Sequence, residues 1–215
     1  MIKSESLEVV VVESQDITKL QPQQRKKLNV RRMTVIALLS SISIMLSMVP
    51  FVGYIQIGPI AITTMYIPVV IGAIIEGPVV GAILGFVFGA TSLFRALTIP
   101  TVTSFPFINP LVSILPRVMI GIVVYYVYQL AMKITKNIYV SGLITGAVGA
   151  MTNTIGVLGM LYVLYGERYA MAMGESASAA KTVILTIAAA NGIPEALGGA
   201  IVVAAVAAVL KKSKK

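Results

Sequence analysis

Two arginines, two amides and a carboxylate stand in or beside otherwise apolar stretches of this chain, and these are the residues best suited to hold a solute. Arg95 and Arg117 flank a polar segment rich in Thr, Ser and Pro, residues 95–110. An arginine at membrane depth costs about 3 kcal/mol on insertion scales, so it faces a cavity or a partner rather than lipid. Its planar fork suits a carboxylate or a phosphate. The structural alternative is snorkelling to the interface, or pairing with Glu195. Asn191 and Glu195 are four residues apart and share a helix face, with Gly192 and Pro194 between them to disturb the backbone. A broken helix bearing an amide and an acid makes a suitable solute lining; the alternative is a polar cap where the last helix begins. Asn153 lies in a glycine-rich stretch, where one amide also serves as an interhelical hydrogen bond. Tyr66, with Thr63 and Thr64, brings hydroxyls to the start of a second apolar run.

Other chemistries are excluded by composition. The chain has no Cys and no His, which removes thiol nucleophiles, Cys/His metal sites and every Ser-His-Asp arrangement. No glycine loop ending in Lys-Ser or Lys-Thr is present, so the chain does not hydrolyse ATP by itself, and neither enzyme activity nor a cofactor is expected in it. The net charge of +9 is concentrated in short clusters beside apolar segments, the pattern of topology signals and lipid contacts rather than of nucleic-acid binding.

The elements that must position these residues are membrane helices. Hydrophobic residues make up 57% of the 215 and charged ones 12%, far from the soluble range. The expected architecture is an all-α integral membrane protein with six spans, at about 33–49, 63–75, 79–93, 111–132, 140–165 and 182–210, the last interrupted near Pro194. Between Pro50 and the second span a short loop is expected. Gly77, Gly81, Gly85 and Gly89 recur every fourth residue, a groove on the third helix that lets another helix approach closely. Tyr162, Tyr165 and Tyr169 are expected to mark an interface at the far end of the fifth span. Residues 1–30 form a polar tail, and residues 31–215 the six-helix substrate-binding domain. Six spans put both termini on one face together with Lys133 and Lys136, so the positive-inside rule makes both termini cytoplasmic and the 95–110 segment external.

The pattern resembles the substrate-binding S components of energy-coupling-factor (ECF) vitamin transporters, over about Arg31 to Lys212. The likeness is carried by the Ala37 to Ser41 stretch, the block from Tyr66 to Ala82, Pro116-Arg117 and the stretch from Asn191 to Ala196, and the run from Thr98 to Phe105 is similar to the pantothenate group. The resemblance implies a cell-membrane protein that captures a vitamin outside and works with a transmembrane coupling subunit and two ATPases. It also implies that Ala37 and Ser41, at the positions of an Ala-x-x-x-Ala motif, contact the coupling subunit. The serine departs from that motif but stays small, as close helix packing requires. Pantothenate as ligand asks for an arginine on its carboxylate and for Asn191, Glu195 and Tyr66 on its amide and hydroxyls, with the 98–110 segment as a lid. An S component for folate, riboflavin or cobalamin, or an ion-coupled secondary transporter in which Glu195 and Glu76 titrate or bind cations, are the alternatives.

Overall fold

The computed structural model describes residues 30–49, 53–57 and 60–213. The polar tail expected before residue 30 lies outside the described residues. The elements in chain order are α1 (Val30–Met48), a hairpin of β1 (Tyr54–Ile57) and β2 (Ile60–Thr63), α2 (Tyr66–Glu76), α3 (Pro78–Thr98) and a 3-10 turn (Phe105–Ile108). They continue with the single-turn α4 (Pro110–Ser113), α5 (Leu115–Thr135), α6 (Ile138–Ala172), a second 3-10 turn (Ala177–Ala179) and α7 (Ala180–Ser213).

Among the described residues, five stretches are helical, long and apolar enough to cross a membrane: Val30–Met48, Pro78–Thr98, Pro110–Thr135, Ile138–Ala172 and Ala177–Val209. Their outward surfaces carry Met45, Phe86, Phe94, Leu97, Ile155, Val163, Leu197 and Ile201, all more than half exposed, which water would not tolerate over so large an area. The sixth expected span differs. α2 has 11 residues and so rises about 16 Å, well short of a hydrocarbon core about 30 Å thick. It is instead enclosed by other helices, with Tyr66, Val69, Val70 and Ala73 at 1% exposure or less. The residues before it are not a plain loop but an antiparallel hairpin in which Tyr54 pairs with Thr63 and Ile57 with Ile60.

A second difference concerns the last helix, which was expected to break near Asn191–Glu195. α7 runs unbroken through Pro194. A proline removes one backbone hydrogen bond, but with no water to compete for the remaining groups the turns on either side stay paired.

Close backbone approach organises the bundle. Gly77, at φ 100°, makes the turn from α2 to α3, a conformation open to glycine and costly for other residues. The ladder beyond it faces α5 and α4. A Cβ added at Gly81 would come within 2.6 Å of the Gly121 carbonyl oxygen, one at Gly85 would land on the Arg117 carbonyl, and one at Gly89 would meet the Ile114 Cα at 2.6 Å. α6 and α7 meet in the same way, Gly146 against the Gly199 carbonyl and Gly142 against the Ala204 Cα. Between these seams lies a core of Leu39, Tyr66, Val69, Val70, Leu84, Phe88, Ile120, Val124 and Val203.

Gly85→Val places side-chain carbons against backbone that cannot yield. Overpacking of this kind costs about 1–3 kcal/mol. The variant should unfold at a lower temperature in detergent, whereas Gly159→Ala, where an added Cβ meets nothing within 4 Å, should leave the midpoint unchanged.

Candidate functional site

A cavity of about 500 Å³ opens at the end of the bundle where α3 finishes and α5 begins. Its wall takes Ser92, Arg95 and Ala96 from α3, Arg117 from α5, Asn153, Thr154, Val157, Leu158 and Leu161 from α6, and Ile187, Asn191 and Glu195 from α7. Thr63 at the end of β2, Ile99, Thr101, Thr103, Ser104 and Phe107 from the connection after α3, and Tyr169 and Met173 at the end of α6 complete it. One side is thus apolar and the other carries hydroxyls, amides and charge, the usual make-up of a site for a small polar molecule.

Among the described residues Arg117 is the most enclosed cation, at 5% exposure. Its guanidinium donates to the Val112 carbonyl and lies 5.4 Å from the centre of the Phe88 ring and 5.7 Å from that of Phe107. Two aromatic faces hold the cation in place at the cavity wall. Arg95, in the last turn of α3, donates from Nη1 to the Ser47 carbonyl at 3.0 Å, so it also fastens the end of α1.

Glu195 joins three elements. Its Oε1 accepts the Thr63 backbone N–H at 2.6 Å, its Oε2 accepts the Thr154 hydroxyl at 3.0 Å, and its own carbonyl accepts the Tyr66 hydroxyl at 2.8 Å. Gly199, one turn on, leaves room for that tyrosine, since any Cβ there would collide with the Tyr66 hydroxyl. Tyr66 therefore stands behind the wall and braces it, while Arg95, Arg117, Asn153, Asn191 and Glu195 all border the cavity. Asn153 is 6% exposed, and its Oδ1 is buried without a hydrogen-bond partner, a deficit that costs energy until a donor arrives.

The connection after α3 folds over this space. Ser104 Oγ accepts the Thr101 N–H at 2.8 Å and donates to the Thr101 carbonyl at 3.0 Å, closing a tight turn. Phe105 then packs edge-on to Tyr165, with ring centres 5.7 Å apart, and receives the Arg168 guanidinium at 4.6 Å from its own centre. Asn109 Nδ2 donates to the Tyr165 hydroxyl at 3.1 Å. Of the three tyrosines expected to mark an interface, only Tyr162 faces outward; Tyr165 binds this connection and Tyr169 borders the cavity.

Ser92, Thr154 and Phe107 were not singled out in the sequence. Thr154 had one weak signal, a hydroxyl next to Asn153 inside a span, and nothing in one dimension pairs it with a residue 41 positions later. Ala37 and Ser41 lie on the exposed side of α1, where the Ser41 hydroxyl donates to the Ala37 carbonyl at 2.8 Å.

A polar cavity walled by lipid-compatible helices defines a multi-pass membrane protein that holds a small solute. Residues 31–207 match the family described as ECF transporter, substrate-specific component, and the chain belongs to that family. It is 31% identical to the pantothenic acid transporter PanT of Lactococcus lactis subsp. cremoris over 170 residues, which cover 73% of this chain and 81% of that one. It is 28% identical to the pantothenate transporter PanT of Leuconostoc mesenteroides subsp. mesenteroides over 171 residues, 76% of this chain and 83% of that one.

Thr154→Val deletes a donor to the buried carboxylate while keeping the shape of the side chain. Leaving that oxygen unsatisfied should cost about 1–3 kcal/mol of stability, read as a lower unfolding temperature, and Thr154→Ser should restore most of it.

Proposed function

We propose that this chain is the pantothenate-capturing component of an ATP-driven ECF transporter, binding the vitamin from outside and passing it to a transmembrane coupling subunit served by two ATPases. The observation that carries the ligand assignment is the pairing, in one cavity, of an enclosed arginine with a buried amide oxygen that lacks a donor. Pantothenate presents a carboxylate at one end and an amide and two hydroxyls along the rest. Arg117, with Arg95 beside the mouth, takes the carboxylate; Asn153 accepts from an N–H or O–H of the vitamin; Asn191, Ser92 and Thr101, which also line the cavity, take the remainder. Glu195 and Tyr66 then act from the wall, which they hold together. The names of the two relatives support the same vitamin.

Orientation follows from charge. The end of the bundle opposite the cavity has Lys133 in the last turn of α5 and Lys136 just after it, so we take it as the cytoplasmic end. The cavity then opens outward, under a lid formed by the connection after α3. Ala37 and Ser41 offer the coupling subunit a surface where two helices can pack without intervening side chains.

Thermal unfolding against a panel of vitamins tests the assignment, because a ligand that binds only the folded protein must stabilise it. Pantothenate should raise the midpoint, and folate, riboflavin and cobalamin should not. Loss of a hydrogen bond to a charged group is worth about 10- to 100-fold in affinity, so Arg117→Ala should weaken binding of labelled pantothenate by that amount. Unchanged binding in the Arg95→Ala, Arg117→Ala double variant would overturn the residue assignment. Phe105→Ala removes the packing of the lid on Tyr165 and Arg168 and should speed dissociation of the vitamin several-fold.

A further inference from the structure

Charge in the cavity is fixed as well as sparse. Among the described residues that line it, the acidic and basic side chains are Arg95, Arg117 and Glu195, two arginines and one carboxyl. The anion has no freedom to leave. Glu195 is 3% exposed, its two carboxylate oxygens accept from Thr63 and Thr154, and its backbone is held by Tyr66, so its position is set by β2, α6 and α2 together. Acceptance of a hydrogen bond by each oxygen is the pattern an ionised carboxylate satisfies. A carboxylate that could swing out to water would be a weak filter; one pinned from three sides imposes its field on whatever enters.

From this we infer that Glu195 is a specificity-determining residue that makes the cavity a site for a single negative charge, rejecting ligands that carry a phosphate in addition to a carboxylate. This rests on the pantothenate reading above and extends it. With two arginines alone the cavity would welcome a dianion or trianion, since the guanidinium fork suits phosphate as well as carboxylate. With Glu195 present and ionised, the first anionic group balances the net charge and a second meets uncompensated repulsion. The phosphate monoester of pantothenate at its primary hydroxyl shares every other group with the vitamin and differs mainly in charge and bulk. Exclusion of such esters lets the transporter distinguish the free vitamin from the product of any kinase that acts on it.

The test is competition against labelled pantothenate in the purified protein by three probes: unlabelled pantothenate, its phosphate monoester, and the neutral alcohol analogue of the vitamin. Wild-type protein should prefer pantothenate over both. In Glu195→Gln, which keeps an oxygen for Thr63 and removes the charge, the preference for pantothenate over the phosphate ester should shrink by about tenfold or more. An unchanged ratio would mean that bulk alone excludes the ester and would overturn the inference. Wild-type protein that binds none of the three would instead sink the functional reading, and the inference with it. Should Glu195→Gln fail to fold, Asn191→Asp tests the same charge balance from the other direction. A second carboxylate should cut the preference for pantothenate over the neutral alcohol by about tenfold, and an unaltered preference there overturns the inference equally.

Discussion

At Gly85 nothing stands between α3 and α5 except hydrogen, and the Arg117 carbonyl occupies the place a side chain would take. Most of the binding end follows from that contact. Because the helices touch backbone to backbone along Gly81, Gly85 and Gly89, Phe88 on α3 is brought beneath the guanidinium of Arg117 on α5, and the cation acquires an aromatic floor. Phe107, from the connection that leaves α3 and returns to α5, supplies the second ring. A wider separation would open the arginine to solvent and lengthen the connection. In a bilayer, where burying apolar side chains offers little drive for helix association, van der Waals contact of this closeness is what holds the pair.

Glu195 performs the complementary task on the other side of the cavity. α6 and α7 are already drawn together by Gly142 and Gly146, and the carboxylate adds a polar tie from α7 to α6 and to β2. α2, too short to cross the membrane, is secured at its first residue by the Tyr66 hydroxyl on the same glutamate. A buried charge is costly unless its hydrogen bonds are complete, and here the partners that complete them are also the elements that shape the wall. Apolar packing sets the distance between the helices, and this polar junction sets the register of the wall.

Much of this was legible in the sequence where the signal is local. Composition and the spacing of apolar runs disclose a membrane bundle, a four-residue glycine repeat discloses a packing seam, and arginines beside a long Thr/Ser/Pro connection disclose a polar mouth. Resemblance to the S components adds the transporter class, which the family match bears out. What stayed hidden is non-local. The hairpin at residues 54–63 is indistinguishable from a loop when judged by length and a proline, and α2 resembles a span because apolar residues look alike whether they face lipid or other helices. Pro194 signals a break, yet α7 runs through it unbroken. Tyr165 and Tyr169 carry the mark of an interfacial belt, yet their partners, Phe105 and Asn109 for one and the cavity for the other, exist only once the chain has folded back. The pairing of Thr154 with Glu195 belongs to the same class.

The triple attachment of Glu195 has a thermodynamic consequence for the ligand. The polar groups around it are tied to one another by hydrogen bonds within the chain, so capture need not assemble that part of the wall. Disorder is lost mainly by the small molecule itself, and the entropy cost of association is correspondingly low. A handful of hydrogen bonds can then suffice to retain a scarce nutrient from dilute surroundings, because the ordering they would otherwise have to offset was completed when the protein folded.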